Sequence, residues 1–188
     1  FLMKIHLVGV DEVGRGCLFG PVIAAAVILG TNKNFGLKDS KKLTEQKRRL
    51  LSRDIKKYAS KVSIGEASVV EIDSLNIKEA SLLAMERAVL GLKTNNIEVI
   101  VDGIDIPKIN HPCKSIIKAD SKIYEVMAAS IIAKVHRDNL MKEFSKKFPN
   151  FFLEKNKGYP TKEHLNILKS LGPTKYHRKS FKPVLNAK

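Results

Sequence analysis

Short apolar segments are the feature of this sequence that most constrains its fold. They cover residues 5–10, 22–29 and 97–101, are bounded by Gly, Pro or Asp, and are partly β-branched. Such runs are typical of buried strands, and residues 60–70 predict a further strand. The order of strands and helical patterns favours an α/β or α+β fold, with helices layered on a mixed sheet.

Four helices are predicted between and after these strands. Apolar residues recur at helical spacing in the first, and Asn76 with Glu79 forms a capping-box-like start for the second. Pro149 ends the third helix, and Gly172 follows the fourth. The predicted helices cover about 43–58, 76–92, 121–147 and 161–170.

Charge is unevenly distributed along the chain. The 188 residues carry a formal net charge of +15, and the last 50 residues hold 12 Lys and Arg against 3 Asp and Glu. A field of this sign attracts polyanions, above all nucleic acid. The alternative is a solvated lysine-rich surface.

Composition also bounds the setting in which the protein works. Its length and its 44% hydrophobic content suit one domain with its own core. Two cysteines cannot form a disulfide framework, and the longest apolar run is far shorter than the ~20 residues that span a bilayer. We therefore expect a cytoplasmic monomer that does not associate with membranes.

Four carboxylates lie where predicted elements begin or end. Asp11 and Glu12 follow the first strand, Asp102 follows the strand at 97–101, and Asp120 precedes the long helix. Neighbouring strand ends can converge at one sheet edge, where unneutralised acids ~4 Å apart would repel by about 4 kcal/mol. Oxygen ligands suit Mg²⁺. The acids therefore predict a site for phosphoryl transfer with two metals ~3.5–4 Å apart.

Two features beside these acids leave alternatives open. Strand alternation should turn Asp11 and Glu12 to opposite sides, so both reach one site only if the strand bends before Gly14. If the strand does not bend, these adjacent acids at a strand end belong to a solvent-exposed turn without a metal. Gly14 and Gly16 free the backbone to approach a sugar or phosphate, whereas Arg15 is either a phosphate contact or a surface charge.

Weaker candidates for substrate contact lie elsewhere in the chain. Lys41 and Lys42 precede a predicted helix and are either phosphate contacts or solvated charges. Ser130 lies on the long helix, where it could touch a phosphate. His177 is expected to pack or to contact phosphate rather than to act as a catalytic base.

Seven segments in a fixed order carry a family resemblance. The stretches GVDEVGRG, GPVIAAAVIL, LKDSKKL, VDG, KADSKIYEVMAASIIAKVHRD, KGYPTKEH and HRKSFKPV occur between about residues 5 and 184. As an ordered set they resemble bacterial ribonuclease HII, the type 2 ribonuclease H family.

The resemblance implies a fold, a reaction and a repair role. The implied fold is a ribonuclease H-like mixed five-stranded sheet flanked by helices, with a helical C-terminal extension. One domain over 1–188 would comprise a catalytic core to about 147 and a basic substrate-holding part over 148–188. The implied enzyme hydrolyses the RNA strand of RNA–DNA hybrids. It also nicks duplex DNA 5′ of embedded ribonucleotides, using Mg²⁺ or Mn²⁺ and leaving 3′-hydroxyl and 5′-phosphate ends.

The resemblance also implies roles for named residues. Gly14, Arg15 and Gly16 match a turn that contacts the ribonucleotide 2′-hydroxyl, and Tyr159 matches a tyrosine that packs on the neighbouring deoxyribose. Lys41, Lys42 and Ser130 complete the expected substrate contacts. The metal-binding catalytic carboxylates are implied to be Asp11, Glu12, Asp102 and Asp120.

Two positions depart from the family pattern. Cys17 stands where proline usually follows the Gly-Arg-Gly turn, and it would leave that turn freer. Asn156 stands where histidine often precedes the KGY segment. The alternative function is a non-catalytic basic module that binds nucleic acid, and a carboxylate-pair glycosidase ranks far behind.

Overall fold

A mixed five-stranded sheet forms the centre of the computed structural model, which describes residues 5–31, 36–37 and 43–187. The sheet order is β3-β2-β1-β4-β5, with β1, β2 and β3 antiparallel and β4 and β5 parallel to β1. This architecture confirms the predicted fold class. The strands are β1 (His6–Val13), β2 (Val22–Ile28), β3 (Lys61–Ala67), β4 (Ile97–Asp102) and β5 (Cys113–Ile116).

Helices cover both faces of the sheet and extend the chain at its C-terminal end. Short 3-10 turns at Ala119–Ser121 and Pro149–Phe151 flank the longest helix, α4. Among the described residues, no helix combines the length and the apolar character that crossing a bilayer requires. The helices are α1 (Glu45–Tyr58), α2 (Val69–Leu75), α3 (Ile77–Gly91), α4 (Tyr124–Lys147), α5 (Leu153–Asn156), α6 (Lys162–Leu171) and α7 (Lys182–Leu185).

The burial of β2 on both faces explains why its apolar run is unbroken. Every residue of β2 is buried, because alternate side chains enter two different cores. Ala24 and Ala26 face α3, whereas Ile23 and Ala25 face α1 and α4. A strand covered on both faces needs no polar alternation.

A third apolar cluster joins the C-terminal helices to the rest of the molecule. Leu18 and Phe19, from the segment between β1 and β2, pack with Met141 of α4, Leu168 of α6 and Val184 of α7. The C-terminal helices are thereby placed next to the loop that follows β1.

Two glycines allow helices to lie very close to the sheet. A Cβ atom built on Gly9 of β1 would lie 2.0 Å from the Glu125 carbonyl carbon of α4. One built on Gly65 of β3 would lie 2.0 Å from the Ala84 carbonyl oxygen of α3. Both contacts are backbone against backbone, so only glycine fits at these strand positions.

Several elements differ from the sequence-based expectation. Strand β1 does not stop at Val10 but continues through Asp11 and Glu12 to Val13, paired with β2 throughout. The predicted strand over 60–70 ends at Ala67, because Ser68 caps α2 in a capping box with Glu71. The short strand β5 was not predicted.

The third predicted helix also begins later than expected. Lys118 adopts a left-handed conformation with φ 58°, a 3-10 turn follows, and α4 starts only at Tyr124. The second and fourth helices agree closely with prediction. Asn76 caps α3 and Thr161 caps α6 through their side-chain oxygens.

We predict that Gly9→Ala lowers the free energy of unfolding by about 1–3 kcal/mol or more, because the new methyl group forces α4 away from β1. Urea denaturation followed by circular dichroism measures the change. Gly16→Ala is the matched control, since a Cβ there meets nothing within 4 Å. Equal stability of the two variants would contradict the close packing of β1 and α4.

Candidate active site

Strand pairing brings two aspartates together at one edge of the sheet. Val10 of β1 pairs with Val101 of β4, so Asp11 and Asp102 come next on adjacent parallel strands. The two valines belong to the core under α3. Because strand side chains alternate, both aspartates project to the opposite face, towards α4.

A third aspartate reaches the same place from the turn before α4. Asp11, Asp102 and Asp120 each offer one carboxylate oxygen, and these oxygens all lie within 4.8 Å of one another. Asp11 and Asp120 are buried, with 7% and 3% of their surface exposed. The structure therefore gathers three of the four predicted carboxylates into one cluster.

Hydrogen bonds hold this cluster in place. Asp102 Oδ1 accepts a hydrogen bond of 2.7 Å from the Ala119 backbone N–H, which ties the 3-10 turn to the end of β4. Asp11 Oδ1 accepts a bond of 2.8 Å from the Glu12 N–H. Ser130 of α4 also hydrogen-bonds Asp11. Strand, turn and helix are thus linked through the acids themselves.

Glu12 lies outside the three-aspartate cluster. The bend that would have turned Asp11 and Glu12 to one side is absent, because β1 keeps regular pairing with β2 as far as Val13 and Ile23. Glu12 Oε1 instead lies 3.4 Å from Arg15 Nη1. Its Oε2 is buried, and none of the described residues forms a hydrogen bond with it. Glu12 nevertheless lines the same cavity as Asp11 and Asp102.

Burial sets the electrostatics of the site. Desolvation raises the pKa of Asp11 well above 3.8, and the nearby charges of Glu12 and Asp102 raise it further, against a lowering contribution from the Ser130 hydrogen bond. Desolvation also raises the pKa of Glu12, partly offset by Arg15. Charged carboxylates this close are unfavourable unless a cation is bound.

The donor set fits a hard divalent cation. Three aspartate oxygens within one ion's reach, and a buried Glu12 oxygen without a partner, supply the oxygen ligands that Mg²⁺ and Mn²⁺ accept. The described residues include no comparable cluster with His or Cys ligands. The chemistry of the donors therefore favours a hard cation over zinc.

The cavity above the acids has a volume of about 370 Å³. The predicted turn residues Gly14, Arg15 and Gly16 line it, as does Tyr159. Ser130 lines it from α4, and the two basic residues Arg48 and Lys134, which sequence reasoning missed, complete the wall. An acidic floor with cationic walls suits a metal-bound phosphodiester.

Two buried arginines hold the glycine turn, and sequence reasoning missed both. Arg137 of α4 is fully buried and donates to the carbonyl oxygens of Phe19 at 2.8 Å and Lys157 at 2.7 Å. It lies directly behind Gly14, where a Cβ atom would fall 2.3 Å from its Nε. Gly14 has φ 95°, so both space and backbone conformation require glycine.

Arg178 holds the other side of the turn. It is fully buried and donates from Nη1 to the Arg15 carbonyl and from Nε to the Gly20 carbonyl, both at 2.9 Å. Burial lowers the pKa of Arg178 to about 10. Arg137 was detectable in the sequence, because it falls four residues from both Ala133 and Met141 on the buried stripe of α4.

The segment that carries Tyr159 is held by its own hydrogen bonds. Asn156 is buried, donates to the Phe151 carbonyl at 2.7 Å and accepts from the Gly158 N–H at 2.8 Å. The thiol of Cys17 is also buried and donates to the Lys157 carbonyl at 3.6 Å. Both departures from the family pattern therefore contact the turn that presents Tyr159.

The remaining candidates have different outcomes. Lys41 and Lys42 lie outside the described residues. His177 is fully buried among aromatic rings, in agreement with a packing role. Both cysteines are free.

Comparisons with known proteins agree with this geometry. A family model described as Ribonuclease HII matches residues 8–184. The ribonuclease HII of Pelagibacter ubique is 53% identical over 184 residues, which cover 97% of this chain and 98% of that protein. The ribonuclease HII of Psychromonas ingrahamii is 50% identical over 179 residues, covering 95% of this chain and 88% of that protein.

A solved structure agrees as well. The PCNA:RNase HII complex from Archaeoglobus fulgidus contains a chain that is 28% identical, with a TM-score of 0.80. The match covers 97% of this chain and 96% of that one.

We predict that Asp11→Asn stabilises the metal-free protein at about pH 8 by at least about 1 kcal/mol. The raised pKa means that the Asp11 carboxylate destabilises the fold once it ionises, and an uncharged amide removes this cost. The gain should shrink as the pH falls and vanish below about pH 3, where Asp11 is largely protonated in the unfolded state as well. Thermal unfolding in chelator at the two pH values measures it.

Asp105→Asn is the control, because Asp105 is partly exposed and paired with Lys78 at 2.8 Å. That variant should not gain stability. A loss of stability in Asp11→Asn at high pH would contradict the electrostatic account of the cluster.

Proposed function

We propose that this protein acts at junctions between RNA and DNA. The chain belongs to the ribonuclease HII family of metal-dependent ribonucleases. It hydrolyses the RNA strand of RNA–DNA hybrids and nicks duplex DNA 5′ of an embedded ribonucleotide. The products are 3′-hydroxyl and 5′-phosphate ends, as ribonucleotide excision repair requires. The observation that carries this proposal is the cluster of Asp11, Asp102 and Asp120 beside the glycine turn.

Asp11, Asp102 and Asp120 would hold Mg²⁺ or Mn²⁺, and Glu12 would add an oxygen from the neighbouring side of the cavity. When bound, two such ions would activate a water for in-line attack and stabilise the leaving oxygen. The chain itself keeps the carboxylates in position through the Ala119 N–H and Ser130.

Recognition of the ribonucleotide is assigned to the turn at Gly14–Arg15–Gly16. A single 2′-hydroxyl distinguishes RNA from DNA at that position. The turn is preorganised, because Arg178 donates to the Arg15 carbonyl within it and Arg137 donates to the Phe19 carbonyl that follows it. A polar group of this turn left unpaired by a deoxyribose would cost about 1–3 kcal/mol, which is enough to select the ribonucleotide without reading its base.

Tyr159 is assigned to the sugar that follows the ribonucleotide. Its ring is partly exposed and lines the cavity that also contains Asp11 and the turn. A flat aromatic surface suits a deoxyribose, which lacks the 2′-hydroxyl. Ser130 lies beside the acids and is assigned to the phosphate of the scissile bond. Lys41 and Lys42 remain proposed phosphate contacts.

The two parts of the chain are assigned different roles on the basis of their charge and packing. Residues to about 147 supply the sheet and the acids, and residues 148–188 supply a basic surface that holds the duplex. The cluster around Phe19 and Leu168 fixes this second part against the loop after β1. Substrate held there lies over the cavity.

The alternative is a non-catalytic module that binds nucleic acid through its basic surface alone. Both functions predict salt-sensitive binding, with a slope of roughly 0.9 per neutralised phosphate, so binding does not separate them. The test is to map the cut in a DNA duplex that contains one ribonucleotide, with and without chelator. A single nick 5′ of the ribonucleotide that chelator abolishes supports the nuclease, and an intact duplex under both conditions supports the module.

We predict that Asp102→Asn abolishes cleavage while duplex affinity stays within about threefold, because one acid of the cluster loses its charge and its basic surroundings are unchanged. Gel assays with the labelled one-ribonucleotide duplex measure both quantities. Asp105→Asn, three residues further on and paired with Lys78, should cleave normally. Normal turnover by Asp102→Asn would exclude the proposed role of this cluster.

We also predict that millimolar Mg²⁺ or Mn²⁺ raises the melting temperature, because binding relieves repulsion among the acids. At ~100 times its dissociation constant a ligand adds about 2.7 kcal/mol of stability. Differential scanning fluorimetry with and without metal measures the shift, and Asp11→Asn should reduce it. An identical melting curve in metal and in chelator would show that the site does not bind these ions.

A further inference from the structure

Two histidines meet in the apolar cluster beneath Tyr159. His164 of α6 and His177 are fully buried, and their Nε2 atoms lie 3.2 Å apart. The rings of Phe19 and Phe151 pack against His177 at centroid distances of 4.9 and 4.8 Å. A charged imidazole is costly in such surroundings.

Burial keeps both rings neutral at physiological pH. Desolvation lowers the pKa of His164, and desolvation together with the charge of His164 lowers the pKa of His177 to about 3. A neutral imidazole has one N–H donor and one acceptor nitrogen. The hydrogen bonds around the pair then determine which nitrogen of each ring carries the proton.

The direction of the hydrogen bonds can be followed from Thr174. The Thr174 backbone N–H donates to His177 Nδ1 at 3.0 Å, so that nitrogen is an acceptor. His177 therefore carries its proton on Nε2 and donates to His164 Nε2. His164 in turn carries its proton on Nδ1, which lies 2.9 Å from the Tyr159 carbonyl oxygen. The Thr174 hydroxyl oxygen also lies 3.0 Å from His177 Nδ1, and between the two rings and on to Tyr159 each step has one donor and one acceptor.

The pair also connects the two parts of the proposed sugar-reading site. His177 forms an antiparallel bridge with Phe19, in the segment that directly follows the Gly-Arg-Gly turn. Its ring reaches His164, and His164 reaches the backbone of Tyr159. The Tyr159 carbonyl receives a second hydrogen bond of 2.8 Å from the Thr161 N–H. The backbone of Tyr159 is thus fixed relative to the glycine turn.

We propose that His164 and His177 are positioning residues that set Tyr159 against the sugar next to the scissile ribonucleotide. The inference rests on the proposed function, because it concerns how Tyr159 distinguishes a junction from a continuous hybrid. Neither histidine touches substrate, and neither transfers a proton. They act through the Tyr159 carbonyl, so their loss should affect junction substrates more than continuous RNA–DNA hybrids.

The first experiment examines the two rings in the intact protein. Long-range ¹⁵N–¹H correlation spectra of ¹⁵N-labelled wild-type protein at about pH 7 distinguish the two neutral tautomers and the imidazolium. We expect His177 as the Nε2–H tautomer and His164 as the Nδ1–H tautomer. The opposite tautomers, or an imidazolium at either position, would overturn the proposal.

The second experiment compares kcat/KM on a duplex with one ribonucleotide and on a continuous RNA–DNA hybrid. His164→Phe keeps a ring but removes both nitrogens, and should lower the ratio of the two values about fivefold, the order expected for one lost hydrogen bond. His164→Asn retains an amide N–H near the position of Nδ1 and should restore the ratio to within about twofold. Leu168→Ala is the control, because it truncates an apolar side chain of the same cluster and leaves both histidines in place.

The outcomes separate this inference from the proposed function. A selective loss in His164→Phe, restored by His164→Asn and absent from Leu168→Ala, supports the positioning role. An equal loss on both substrates in His164→Phe shows a purely structural pair and overturns it. Wild-type protein that cuts neither duplex contradicts the proposed function instead. If His164→Phe does not fold, the tautomers of the wild-type rings and the ratio for His164→Asn decide.

Discussion

The parallel pairing of β1 with β4 is the constraint on which the site depends. The register that places Val10 beside Val101 also places Asp11 beside Asp102, two acids that repel each other and that the hydrogen-bonded backbone holds together. Gly9 then lets α4 approach closely enough for the turn before it to add Asp120. The fold tolerates this local repulsion as long as its cost stays below the net stability of the domain, which is typically about 5–15 kcal/mol.

Sequence patterns predicted most of the sheet, because buried strands and helix stripes leave a local periodic signature, and they singled out the three aspartates that the structure brings together. They did not predict where β1 ends. Its last residues, Glu12 and Val13, are held by Ala24 and Ile23 of β2, and such a partner is invisible in a local window. That pairing is also why Glu12 stays out of the cluster. Similarly, the β-branched Val69 and Val70 favoured a strand, whereas the cap at Ser68 starts a helix.

The buried arginines show a different limit of sequence reasoning. Arginine is ordinarily a surface residue, and a basic chain offers many candidates. Arg137 and Arg178 are buried with hydrogen bonds to backbone carbonyl oxygens, among them those of Pro21 and Gly20, which lie more than a hundred positions away in the chain. Among the described residues, Arg178 Nη2 has no hydrogen-bond partner. The tertiary fold creates those carbonyl partners, so a local stretch of sequence does not show which carbonyl oxygens they are. The same holds for the contact between His164 and His177, which requires α6 and the segment after it to be packed together.

The hydrogen bonds described for the two guanidinium groups go to main-chain oxygens, while the Arg178 group also lies over the Phe181 ring. Main-chain oxygens are present whatever residue occupies a position, so these hydrogen bonds do not depend on the side chains at Arg15 and Phe19, whereas Gly14 is required by its backbone conformation. Position 17 illustrates this. The Cys17 N–H makes only a long bond of 3.4 Å to the Gly14 carbonyl, and an imino acid would forfeit little by lacking it. The thiol contributes instead through its own bond to the Lys157 carbonyl, which joins the loop after β1 to the segment that carries Tyr159.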